Sequence, residues 1–270
     1  LQRHATSKMR ALDDLFGLST MGFRGEALPS IAAVSRFSLT SRTSASAAGF
    51  RVLVAAGKLE SEGECGAPVG TKVEVRDLLW NVPARLKFLK AEATEAGHIT
   101  EVVTRLALVH PDVHVRLKNG ERVVLDVPRH PDVLTRVHAL LGKRLAGRLF
   151  APAAVFTENG WSVRAFVAPP ELAQTTARGV QHYMGRRFIR DRGLLHAVLM
   201  GYGALIPKGR YPYALILLDG PDDAVDVNVH PQKLEVRFAK PQEVYAAVRH
   251  AVGAAVAQAP WLERTWVPAG

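Results

Sequence analysis

The chain has 270 residues, 48% of them hydrophobic, enough for one large or two ordinary domains with real cores. Its single cysteine, Cys65, excludes an intramolecular disulfide framework and favours a reducing compartment. No apolar run reaches the roughly 18 residues that cross a membrane, so a soluble, cytoplasmic protein is expected. The net charge is +10, and residues 127–270 hold 18 basic against 11 acidic side chains, which points to a polyanion as partner.

In chain order, Thr6-Ser7-Lys8 offers two hydroxyls and a cation ahead of a helix expected over Met9–Leu15. Gly22-Phe23-Arg24-Gly25-Glu26-Ala27-Leu28 runs straight into a second helix, Ala27–Val34. Glycine lets the backbone bend there, and the first free amides of a helix favour an anion. Alternating residues predict strands over Ser35–Thr43, Phe50–Ala55 and Thr71–Val75, with Cys65 as a small residue in a Gly63–Gly70 loop. Ile99, Val102, Val103 and Leu106 follow helical spacing in a helix between Glu92 and His110 that ends before Pro111. Val113–Leu117 and Arg122–Val127 flank Asn119-Gly120, a two-residue hairpin signal.

Two prolines in Pro128-Arg129-His130-Pro131 suit a domain seam. Beyond it the pattern predicts a helix (Asp132–Leu141), strands near Arg148–Phe156 and Trp161–Val167, and a basic hairpin around Arg186. A helix from about Arg192 to Leu205, a strand at Ala214–Leu218 and a closing helix from Pro241 to about Val256 follow. The tetrapeptide His-Pro-Asp-Val at 110 and 130 is a turn signal used twice, with no repeat around it.

Several chemistries are excluded. Gly142-Lys143 lacks the following Ser/Thr and the upstream glycine of a Walker loop; one cysteine and scattered histidines make no zinc set; no nucleophile elbow picks out a Ser/His/Asp order. What remains is phosphate chemistry by backbone and lysine. Lys233, after Pro231 in Val227–Phe238, sits on a loop where its ammonium can reach outward. Arg178, Arg186, Arg187, Arg190 and Arg192 stand against the single acid Asp191 and no stacking platform, which fits contact with a nucleic-acid backbone rather than reading of bases.

Four segments together resemble one family. Arg3–Lys8 (RHATSK), Gly22–Leu28 (GFRGEAL), Gly70-Thr71 with Asn81–Leu89 (NVPARLKFL), and Val225–Phe238 (VDVNVHPQKLEVRF) look like the N-terminal half of the MutL mismatch-repair proteins. MutL belongs to the ATPase superfamily shared with DNA gyrase, a heat-shock chaperone and histidine kinases. The resemblance implies an α/β fold (an α+β two-layer sandwich). Residues 1–127 would be the C-terminal part of the ATPase domain, 132–258 a smaller ribosomal-protein-like α/β transducer that helps bind DNA, and 259–270 a tail or linker.

It also implies roles. Thr6, Ser7 and Lys8 would belong to the lid over ATP. Arg24, Gly25, Glu26, Ala27 and Leu28 would surround the β- and γ-phosphates, Thr71 would lie in the nucleotide pocket, and Lys233 would sense the γ-phosphate. ATP with Mg2+ would be the cofactor. Partners would be DNA held non-specifically through Arg178, Arg186, Arg187 and Arg190, a mismatch-recognition protein, a downstream nicking enzyme and helicase, and a second copy in a homodimer.

Two departures matter. The family's general-base glutamate, its magnesium-binding asparagine and its adenine motif lie upstream of the counterpart of RHATSK. The chain is therefore expected to bring lid and sensor without the base, and no catalytic residue is assigned. Met184-Gly185-Arg186-Arg187-Phe188 stands where the family has Val-Asn-Gly-Arg, adding a charge to the hairpin. Two alternatives stay open: a truncated, non-hydrolysing fragment that binds DNA or a partner protein, and the ATPase subunit of a type II topoisomerase.

Overall fold

The computed structural model describes residues 25–141, 145, 147–226 and 234–262. The chain divides into two compact units, Leu1–Glu95 and Ala96–Gly270.

The first unit is a four-stranded antiparallel sheet in the order β3-β2-β1-β4, built from β1 (Arg36–Arg42), β2 (Gly49–Ala55), β3 (Lys58–Cys65) and β4 (Gly70–Arg76), with α1 (Ala27–Ala32) before it. Register explains its two faces. Phe37 pairs with Val54 and Val75, and Leu39 with Val52 and Val73, so these six side chains share one face. α1 covers part of that face: Ala32, Phe37 and Val54 are buried, with Ile31, Leu39 and Val52 packed against them. Phe50, Val73 and Val75 remain exposed.

Strand β3 was not expected. Its sequence, Lys-Leu-Glu-Ser-Glu-Gly-Glu-Cys, carries no apolar alternation because it is an exposed edge strand, and Cys65 is its last residue rather than part of a loop. The turn before it explains why it forms. Ala56 and Gly57 both have positive φ, 49° and 79°, the handedness that lets a two-residue turn follow the twist of a hairpin. After β4 come the short α2 (Pro83–Leu86) and α3 (Glu92–Leu108).

The second unit holds a two-stranded hairpin, β5 (Val115–Asn119) and β6 (Arg122–Val127), then α4 (Val133–Leu140). Asn119 pairs with Arg122, so the turn residues are Gly120-Glu121, one position later than the sequence signal implied. Gly120 at the first turn position takes φ 55°. Asp132 caps α4, accepting from the Thr135 amide at 2.8 Å.

A five-stranded sheet follows in the order β10-β9-β11-β8-β7: β7 (Phe156–Glu158), β8 (Trp161–Val167), β9 (Val180–Met184), β10 (Arg187–Ile189) and β11 (Ala214–Asp219). Only β9 and β11 run parallel, and the connection between them carries β10 and α5 (Arg192–Tyr202). The strand expected over Arg148–Phe156 does not form. Phe150 makes a single bridge to Val167 and the strand begins only at Phe156, because Pro152 between them cannot donate to a ladder. A short pair, β12 (Val225–Asp226) and β13 (Arg237–Phe238), and α6 (Pro241–Ala257) close the unit.

Helices cover both faces of this sheet. On one face α5 and α6 bury Leu194, Val198, Val244, Val248 and Val252 against Trp161, Val163, Ile216 and Leu218. Gly201 on α5 permits their approach, since a Cβ there would lie 2.6 Å from the Val252 Cβ. On the other face Leu108, Val137 and Leu149 pack on Phe166, Tyr183 and Leu215. Tyr202 ties helix to sheet, donating to the Ala168 carbonyl at 2.8 Å and accepting from the Ala168 amide at 3.0 Å.

The seam expected at Pro128–Pro131 lies inside this second unit, and one buried side chain explains why it is closed. Arg136, with no exposed surface, donates to the carbonyls of Val127 (3.1 Å), Pro128 (2.6 Å), His110 (2.7 Å) and Val113. The guanidinium thus gathers two turns onto α4, and its charge is met by carbonyl dipoles rather than a carboxylate.

Candidate functional site

The first candidate region surrounds α1. Gly25 takes φ 62°, a conformation that favours glycine, and Glu26 begins the helix without capping it by its side chain. The other end of α1 is held from two directions. The Ile31 carbonyl accepts from the Ser35 hydroxyl at 2.8 Å, and the Ala32 carbonyl from the Gly57 amide at 3.0 Å. The Ala33 carbonyl accepts from Asn81 Nδ2 at 3.0 Å, and the Val34 carbonyl from the Leu79 amide at 2.6 Å. The Ile31 carbonyl also accepts from the Val34 amide at 3.1 Å; the β2–β3 turn supplies the partner of Ala32, and the 77–81 loop those of Ala33 and Val34.

The loop is bent to do so. Asp77 and Leu79 take positive φ, 52° and 69°, and Arg36 braces the bend by pairing with Asp77 at 3.3 Å and lying 4.9 Å over the Trp80 ring.

Thr71 lies at the opposite end of β4 from that loop. Its hydroxyl is 2.8 Å from the Ser41 hydroxyl, which also reaches the Gly70 carbonyl at 3.3 Å, and both residues face solvent enough to meet a ligand. Of the other residues expected at this site, Thr6, Ser7, Lys8, Arg24 and Lys233 lie outside the described residues. Gly25 with the start of α1, and the Ser41–Thr71 pair, could meet the oxygens of a polyphosphate nucleotide. Among the described residues no group of three or more His, Cys, Asp or Glu could hold a metal ion.

The second region is the β9–β10 hairpin. Met184 pairs with Arg187 across Gly185-Arg186, with Gly185 at φ 56° in the first turn position, so the departure from Asn-Gly keeps a tight turn. Its arginines divide. Arg186 is exposed, donating towards His110 Nδ1 at 3.3 Å with Asp112 at 3.9 Å. Burial, and then Arg186 itself, hold the His110 pKa below its ordinary value, consistent with a neutral ring that accepts from the guanidinium.

Arg190 and Arg178 are also exposed. Arg187 is only 9% exposed and lies on the same sheet face as Ile189 and His182, so its side chain points into the fold. Arg105 was missed by sequence reasoning. Its guanidinium lies 3.9 Å over Phe188, with Arg190 at 6.0 Å from the same ring, so one aromatic side chain organises two cations from distant segments.

These two regions, a glycine-led helix start beside one sheet and a basic hairpin in another, are the candidate binding surfaces of a mixed α/β chain. Comparison with known proteins makes this specific. A family described as "DNA mismatch repair protein, C-terminal domain" matches residues 137–257. The MutL protein of Symbiobacterium thermophilum is 45% identical over 260 residues, covering 95% of this chain and 41% of that protein. The MutL of Citrifermentans bemidjiense is 42% identical over 269 residues, covering 100% of this chain and 41% of that protein. Among solved structures, the Aquifex aeolicus MutL ATPase domain complexed with ADP is 27% identical, with a TM-score of 0.59 over 78% of this chain and 76% of that one.

The chain belongs to the MutL family of DNA mismatch repair proteins. It spans about two fifths of the length of the relatives it matches. Among the described residues no helix is long and apolar enough to cross a membrane.

Proposed function

We propose that this chain is the ATP- and DNA-binding part of a MutL-type mismatch repair mediator, acting as a dimer in the cytoplasm and relaying mismatch recognition to downstream nicking and unwinding enzymes. One observation carries the nucleotide reading: Gly25 and the start of α1, held by four capped carbonyls, belong to a chain similar to a MutL ATPase domain solved with ADP. Free amides at the start of α1 would donate to phosphate oxygens, and the Ser41–Thr71 hydroxyls would add neutral donors. Thr6, Ser7, Lys8, Arg24 and Lys233 complete the reading from their motifs, the lysines and Arg24 supplying cations and Thr6 and Ser7 hydroxyls for the phosphates. ATP with Mg2+ would bring the transferable phosphoryl group.

The DNA reading rests on Arg178, Arg186 and Arg190, exposed on one hairpin and the turn before it, where they can track a phosphate backbone. Arg187 supports the hairpin from inside. Replacing Arg186 and Arg190 together by glutamate should weaken duplex binding about tenfold or more at low salt and lower the slope of log affinity against log salt by about two. Fluorescence anisotropy with a labelled duplex measures both, and an unchanged slope would remove the hairpin from the interface.

A further inference from the structure

We infer that Asn81 is a positioning residue for the nucleotide phosphates, acting through α1 from the end of the helix remote from the ligand. The inference rests on the reading of Gly25–Leu28 given above and adds a role for the Asn81-Val82-Pro83 segment.

The geometry is local to the first unit. α1 has six residues, about 9 Å of helix, too short to hold its own direction. Its apolar anchorage is small, with Ala32 buried and Ile31 partly so. Direction must come from the last carbonyls, two of which are held by the loop after β4: Val34 by the Leu79 amide and Ala33 by Asn81 Nδ2. Asn81 is the only side chain from outside 31–35 shown bonding to these carbonyls among the described residues.

The loop adopts left-handed backbone at a leucine to deliver the Leu79 amide. The bend is braced by the Arg36–Asp77 pair and by the loop's own turn bonds, Trp80 to Asp77 and Val82 to Leu79, while Leu78, Trp80 and Asn81 stay exposed. Strain that delivers an amide to a helix end, backed by a side-chain amide two residues on, is what fixing the axis of that helix requires. A tilt at Ala33 displaces Gly25–Leu28 at the other end. Because Asn81 is exposed, changing it leaves Phe37 and Val54 in place, so positioning separates cleanly from folding.

The test compares Asn81→Asp, which keeps the shape but loses the donor, with Asn81→Gln, which keeps the donor, in the full chain. Amide hydrogen exchange reads the helix, a titration with ATP reads the site, and a titration with a DNA duplex reads the rest of the fold. Asn81→Asp should speed exchange over 27–34 at least fivefold, leave β2 and β9 unchanged, and weaken ATP about fivefold while duplex binding is kept. Asn81→Gln should restore both.

Unchanged exchange over 27–34 in Asn81→Asp overturns the inference. So does an equal loss of ATP and duplex binding with a lowered melting temperature, which marks a purely structural residue. If the unsubstituted chain binds ATP and Asn81→Asp binds it as tightly, the inference alone falls. If the unsubstituted chain binds no ATP, the nucleotide reading falls and takes the inference with it.

Discussion

Residues 25–95 and residues 96–262 use the same device, strands with one apolar face, and reach different ends. In the second unit both faces of the five-stranded sheet meet helices, and Val163, Val167, Ile216 and Leu218 are almost wholly buried. In the first, three residues form the buried cluster among those described, and Phe50, Val73 and Val75 on the same face stay open. The first unit compensates with hydrogen bonds, pinning α1 through its last carbonyls more than through packing. Apolar burial gives a core that tolerates movement at its surface. Carbonyl capping gives an orientation, which suits a segment that must present amides to a ligand.

Three perturbations would break or sharpen that contrast. The largest effect is expected at Arg136, where the second unit itself relies on a polar clamp. Arg136→Leu removes the guanidinium donor from four carbonyls and should cost about 4 kcal/mol of stability in urea unfolding followed by tryptophan fluorescence. A loss below about 1 kcal/mol would show that the turns stay closed without it.

His182 comes next. Burial pushes its pKa down to about 4 against the pull of Asp191, so the unfolded chain takes up its proton first. The stability from keeping it neutral is complete above about pH 6.5 and is lost as pH falls towards 4, about 3 kcal/mol in all. Unfolding measured at a series of pH values should show this slope, and His182→Gln should flatten it; an identical slope in the variant would assign it to other groups. The smallest effect is expected on the open face of the first unit, where Val75→Thr should change the melting free energy by less than about 0.5 kcal/mol. A loss above about 1.5 kcal/mol would mean that this face is packed in solution.

The elements that sequence revealed most directly are those whose burial follows a period, Trp161–Val167 and α6 with Val244, Val248 and Val252 on one side; α3 forms where its spacing predicts, although Ile99, Val102 and Leu106 are exposed and only Ala107 and Leu108 are buried. β3 escaped because an exposed edge strand needs no apolar alternation, and its only signal was the handed turn at Ala56-Gly57. The closed seam at Pro128–Pro131 escaped because it depends on a bond set spanning His110 to Arg136, which no local pattern carries. Arg187 could have been read: it stands two residues before Ile189, so a strand that buries one side chain directs the other inward. The phosphate motif was visible as a glycine-led helix start, but what holds it was not, since Gly57, Leu79 and Asn81 reach α1 only after the sheet forms.

Strand β3 has one more consequence. It forms the outer border of a sheet whose apolar side is partly bare, the arrangement most prone to recruit strands from other molecules. Along that border stand Lys58, Glu60, Glu62 and Glu64, so an incoming copy in register would set carboxylate beside carboxylate at every second residue. The stretch with the weakest pattern in the chain is therefore its guard against fibril growth. Neutralising those three glutamates should leave the fold intact and shorten its life in concentrated solution.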